Sequence, residues 1–69
     1  MKHGKITRTI KDKGYGFIKA EGTEEPDFFF LAKRMQQPAL FLALEQNQAV
    51  TFETEPHEKG IRAVNVAVV

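Results

Sequence analysis

Apolar and polar residues alternate in short bursts along this chain, and turn residues separate the bursts. Residues 4–10 carry β-branched Ile6, Thr7, Thr9 and Ile10, which suits a strand. Lys11-Asp12-Lys13-Gly14 is a charged turn, and residues 15–19 read as a second strand. A polar hairpin loop follows over residues 20–27, broken by Gly22 and Pro26. Residues 28–32, with three consecutive phenylalanines, form a third strand. Residues 49–55 alternate Val50 and Phe52 with Thr51 and Glu53, the period of a half-buried fourth strand. A turn at 56–60 leads to a β-rich closing segment over 62–69. Residues 33–48 break the rhythm. There Pro38-Ala39-Leu40-Phe41-Leu42-Ala43-Leu44-Glu45 holds good helix formers behind a proline suited to a helix start. One or two helical turns are expected between the third and fourth strands, within a small all-β domain.

Size and composition narrow the classes. At 69 residues the chain is expected to be one domain over 1–69. With no cysteine, neither a disulfide framework nor a cysteine-built zinc site can form, and His3 and His57 are the only imidazoles. No apolar run approaches the ~18 residues of a membrane span. Met1-Lys2-His3-Gly4 lacks the apolar stretch of a secretory signal, so a cytoplasmic protein is expected. The net charge of +1 hides a polarity along the chain. Lys2, Lys5, Arg8, Lys11, Lys13 and Lys19 face Asp12 alone in the first 19 residues, whereas Glu21, Glu24, Glu25 and Asp27 follow as an acidic block. Such a one-sided distribution can steer a polyanion, although terminal lysines also serve plain solubility.

The stretch Lys13-Gly14-Tyr15-Gly16-Phe17-Ile18 carries the chemistry. Alternate side chains of a strand share a face, which puts Tyr15 and Phe17 on one side and Gly16 and Ile18 on the other. Two rings two residues apart make a platform for successive bases, each worth about 1–3 kcal/mol and indifferent to base identity. Lys13 at the strand entry can meet a phosphate. The plainer reading makes Tyr15 and Phe17 core residues, but a strand glycine on the opposite face would then be a poor choice. In Asp27-Phe28-Phe29-Phe30-Leu31-Ala32 the three rings cannot share one face: either Phe28 and Phe30 point inward and Phe29 outward, or the reverse. An outward Phe29 is expected, and it extends the Tyr15/Phe17 surface if this strand pairs with the second.

These residues resemble a known family. Lys13–Ile18 is similar to the first ribonucleoprotein motif of the bacterial cold-shock domain, and Phe28-Phe29-Phe30 looks like the start of its second. Gly4-Lys5-Ile6 resembles the family's first strand, Gln48-Ala49-Val50-Thr51-Phe52-Glu53 its fourth, and Lys59-Gly60 with Ala63-Val64-Asn65-Val66 its closing strand. The resemblance covers nearly the whole chain, least so over residues 33–44. It implies a five-stranded antiparallel OB-fold barrel that binds single-stranded RNA or DNA with little sequence preference, as an RNA chaperone or gene-expression regulator. The implied binding residues are Lys5, Arg8, Lys13, Tyr15, Phe17, Phe29, Phe41 and Lys59. The departures bear on affinity. Arg8-Thr9 stands where the family has a Trp-Phe pair, and Leu31-Ala32 where it has His-Phe. Arg8 can partly replace a tryptophan, because a guanidinium stacks on bases and pairs with phosphate. Losing two or three stacking groups points to micromolar or weaker binding.

Other classes fare worse. The RNA-recognition motif needs its second signature upstream, on a strand separated by a helix and a further strand, and only twelve residues precede Lys13. An enzyme lacks support: there is no Cys or Ser, and Glu53, Glu55 and Glu58 read as solvated carboxylates in or near a polar turn. Gly14-Tyr15-Gly16 lacks the length and lysine of a phosphate-binding loop. The rival is a protein–protein interaction module using the apolar run at 39–44, although Leu40 and Leu44 at i, i+4 spacing can instead close one end of a barrel. The expected partner is therefore single-stranded nucleic acid bound by a monomer, with no cofactor, no metal and no membrane.

Overall fold

Each strand sends branched or aromatic side chains inward, and Ile6, Ile18, Phe30, Val50, Phe52 and Val66 meet in the interior fully buried. The computed structural model describes residues 1–58 and 60–69. Its strands are β1 (Lys2–Ile10), β2 (Tyr15–Ala20), β3 (Phe28–Leu31), β4 (Ala49–His57) and β5 (Gly60–Val68). They close into a barrel in the order β1-β2-β3-β5-β4, with β1 returning to pair with β4. This is the expected five-stranded OB-type barrel. One seam differs from the others: β3 and β5 run parallel, through Phe29 opposite Arg62 and Phe30 opposite Ala63. Closure removes the free sheet edges that would otherwise template aggregation.

The phenylalanine run sorts as the pleat requires. Phe28 is 7% and Phe30 0% exposed, while Phe29 between them is half-buried on the outer side. On β2 the same period buries Gly16, Ile18 and Ala20 and turns Tyr15, Phe17 and Lys19 outward. Gly16 is an inward position with no room for a side chain. A Cβ there would lie 2.8 Å from the Arg8 carbonyl oxygen and 2.9 Å from the Phe30 ring. The glycine thus lets a phenylalanine fill the barrel immediately behind the outward rings. Gly14, at φ 77°, takes the left-handed conformation that closes the β1–β2 turn, and its N–H donates to the Ile10 carbonyl at 2.9 Å.

Between β3 and β4 the expected helical turns are two 3₁₀ stretches, Ala32–Arg34 and Pro38–Ala43. Three residues per turn aligns i with i+3, so Phe41 and Leu44 are the pair that is buried, rather than Leu40 and Leu44. Lys11 clamps this segment to the β1–β2 turn, its Nζ donating to the carbonyls of Leu42 and Leu44 at 2.5 and 2.9 Å. No helix among the described residues is long and apolar enough to cross a membrane.

Candidate nucleic-acid interface

The outer face of β1, β2 and β3 gathers most of the residues singled out above. Phe17 and Phe29 are direct cross-strand partners, and Tyr15 sits one pleat further along, opposite Leu31. The three rings touch as a group, with centroids 5.3 Å apart for Tyr15–Phe29, 6.0 Å for Phe17–Phe29 and 6.1 Å for Tyr15–Phe17. All three are half-buried: their edges pack on one another and on the strands, and the remaining surface meets solvent. Edge-to-face and tilted packing of this kind fixes the rings without burying them.

Arg8 reaches the same face through an irregularity. Ile6 pairs with Ile18 but Arg8 pairs with Phe17, so β1 carries one extra residue, Thr7, at that point. Strict alternation from buried Ile6 would aim Arg8 inward; the bulge re-aims it outward beside Phe17. The Thr7 hydroxyl donates to the Asp27 carboxylate at 2.7 Å, which ties the bulge to the start of β3. Lys5 pairs with Lys19 one row away, both exposed, and Lys13 is exposed in the turn that leads to Tyr15. Lys19 also donates to the Glu25 carbonyl at 3.0 Å and so anchors the acidic loop. The remaining rows are aliphatic: Ile10, Tyr15 and Leu31 lie side by side, and Ala32 packs partly on the core.

Two of the residues implied by resemblance are not part of this surface description. Phe41 is only 3% exposed and meets Phe30 edge-on at 6.0 Å, so it is packed in the core and not on this outer face. The long connection tucks it under the barrel because the 3₁₀ turn places it in line with buried Leu44. Lys59 lies outside the described residues. Of the apolar run at 39–44, Phe41 and Leu44 go to the core, whereas Ala39, Leu40, Leu42 and Ala43 are exposed, Leu40 at 38% and Leu42 at 70%.

The structure adds residues that the sequence reading passed over. Arg62 stands beside Phe29 across the parallel seam, which continues the row Arg8–Phe17–Phe29 onto β5. Its Nε and Nη2 donate to Oε2 of Glu55 at 3.0 and 2.7 Å, and Arg34 Nη2 donates to Oε1 at 3.2 Å. Glu55 is therefore not the solvated carboxylate with an ordinary pKa expected from its setting. The Arg62 hydrogen bonds above all, and then the charge of Arg34, hold its carboxyl below the usual range against the opposing effect of partial burial. A hairpin that pairs His57 with Gly60 necessarily pairs Glu55 with Arg62, so this contact was readable once the turn register was known.

A small five-stranded barrel with outward rings between cationic side chains is the architecture of an oligonucleotide-binding module. The comparisons agree. The model of the "'Cold-shock' DNA-binding domain" matches residues 2–69, and the chain belongs to that nucleic-acid-binding family. It is 39% identical over 66 residues to cold shock protein 1 of Lactiplantibacillus plantarum. It is 36% identical to cold shock protein CspB of Geobacillus stearothermophilus and 38% to cold shock protein CspA of Staphylococcus aureus. In each case the match covers 96% of both chains.

Proposed function

We propose that this protein binds single-stranded RNA or DNA, with little sequence preference, on the outer face of β1–β3. Tyr15, Phe17 and Phe29 receive bases by stacking. Lys5, Arg8 and Lys13 attract and seat the phosphates, with Lys59 added on sequence resemblance alone. The observation that carries this reading is the contiguous row Arg8–Phe17–Phe29 with Tyr15 against it, since one guanidinium and three rings share a solvent-facing surface. Stacking is available to every base, and the aliphatic neighbours Ile10 and Leu31 offer apolar contact without hydrogen-bond discrimination, so selectivity is low. Three rings, at about 1–3 kcal/mol per stacked base before the cost of association, place the affinity in the micromolar range or weaker. Such binding melts transient RNA structure, which suits a cytoplasmic RNA chaperone or gene-expression regulator acting as a monomer without a cofactor. The Tyr15→Ala/Phe17→Ala/Phe29→Ala triple variant, titrated with fluorescent oligothymidylate, is expected to lose at least about a hundredfold in affinity. A folded triple variant that binds like the parent would discard the platform.

A further inference from the structure

We propose that Arg62 is a further phosphate-contacting residue and that Glu55 is its intramolecular competitor, occupying the guanidinium edge that a nucleic-acid phosphate would take. The inference rests on the binding reading above and extends it from β3 onto β5. Register puts Arg62 directly beside Phe29, so a strand that stacks a base on Phe29 brings its backbone within reach of this guanidinium. The Nε and Nη2 hydrogens form the side-on edge of an arginine that recognises carboxylates and phosphates alike. Here both point at one oxygen of Glu55. Arg34 takes the second oxygen, so one carboxylate holds two guanidiniums, and the three groups together carry a single positive charge.

The cluster is accessible to a competing anion. Its side chains retain 21% exposure at Arg62, 34% at Glu55 and 38% at Arg34. Ion pairs in such a setting are weak and exchange readily. An open groove lined by Phe29, His57, Glu58, Gly60, Ile61 and Arg62 runs alongside and gives a strand leaving the platform a path over β5. A phosphate entering there replaces the Arg62–Glu55 contact with an equivalent one, so the net gain is small. Glu55 therefore limits both affinity and salt dependence.

The test is Glu55→Gln, which keeps the shape and removes the charge, with Glu53→Gln as a control. Glu53 lies two residues away on β4, is paired with Asn65 at 2.9 Å, and holds neither arginine. Oligothymidylate titrations over a salt series should show Glu55→Gln binding about two- to fivefold more tightly at low salt. Its plot of log affinity against log salt should be steeper by about 0.7 per phosphate newly engaged. Adding Arg62→Gln to Glu55→Gln should remove most of that gain. Unchanged or weaker binding by Glu55→Gln, or an equal gain from Glu53→Gln, overturns the inference. A readout on the parent protein avoids dependence on a variant's folding: the Arg62 Nε–H NMR signal should shift as oligothymidylate is added. If that signal stays still while the Phe17 and Phe29 signals move, only the role of Arg62 fails. If the platform triple variant binds like the parent, the underlying reading fails instead.

Discussion

Neighbouring phenylalanines on β3 should separate function from folding. Phe30 is fully buried and packs on Phe41, so Phe30→Ala removes a core ring at a cost of about 3–5 kcal/mol. A domain of 69 residues has a total stability on the order of 3–10 kcal/mol, so this variant loses between about a third and all of it. Phe29 is half-buried on the outer face, where its ring packs on those of Tyr15 and Phe17. At about 0.5–1.5 kcal/mol for an aromatic pair, discounted for exposure, Phe29→Ala costs about 1–2 kcal/mol of stability. That corresponds to a fall in Tm of about 4–16 °C for a domain of this size. Its effect on binding is larger in proportion: loss of one stacked base, about 1–3 kcal/mol, weakens affinity about 5- to 150-fold. Thermal melts followed by circular dichroism and anisotropy titrations with labelled oligothymidylate read both quantities. The reasoning is refuted if Phe29→Ala binds like the parent, or if Phe30→Ala is the milder change in stability.

Three more outcomes follow from the same geometry. Gly16→Ala must push a Cβ against the Arg8 carbonyl and the Phe30 ring, so it should lower stability by about 1–3 kcal/mol in urea unfolding; a neutral result would mean the strand relaxes freely. Lys13→Glu should weaken oligonucleotide binding and flatten its salt dependence by about 0.7 in logarithmic slope if Lys13 engages one phosphate; a parent-like salt series would remove Lys13 from the site. Because the folded-state pKa of Glu55 is depressed, its ionised form stabilises the fold fully above the ordinary glutamate value near 4.3. That contribution is lost as pH falls through the lower, folded-state value. The stability gap between the parent and Glu55→Gln should therefore be wider at pH 6 than at pH 3 in urea titrations, and an unchanging gap would contradict the ion-pair account.

Much of the barrel was legible because period-2 patterning survives in β2, β3 and the first half of β4. Val50 and Phe52 alternate cleanly, and pleat geometry reduces the run Phe28-Phe29-Phe30 to two arrangements, of which the expected one, Phe29 outward, is found. Tyr15, Phe17 and Phe29 followed from the same logic. Three things were not legible from the apolar period, although resemblance had already named Arg8. Arg8 falls on an inward position by counting from Ile6, and only the extra residue at Thr7 brings it to the outer face. The segment after β3 has the composition of an α-helix but is folded as 3₁₀ turns, a change of period that moves the buried partner of Leu44 from Leu40 to Phe41. The Glu55–Arg62–Arg34 cluster depends on hairpin register and on a parallel seam that joins β3 to a strand distant in sequence. Local pattern specifies which face a residue takes within a strand; it does not specify which strand lies alongside.

The central claim is that nucleic acid sits on the outward rings of β2 and β3. The most direct measurement is an NMR titration of the free protein with a short thymidine- or uridine-rich strand, following backbone amide and aromatic signals. The account predicts shifts centred on Tyr15, Phe17, Phe29 and their neighbour Arg8, growing weaker as salt is raised. Shifts confined to residues 38–44, or none at all, would contradict it.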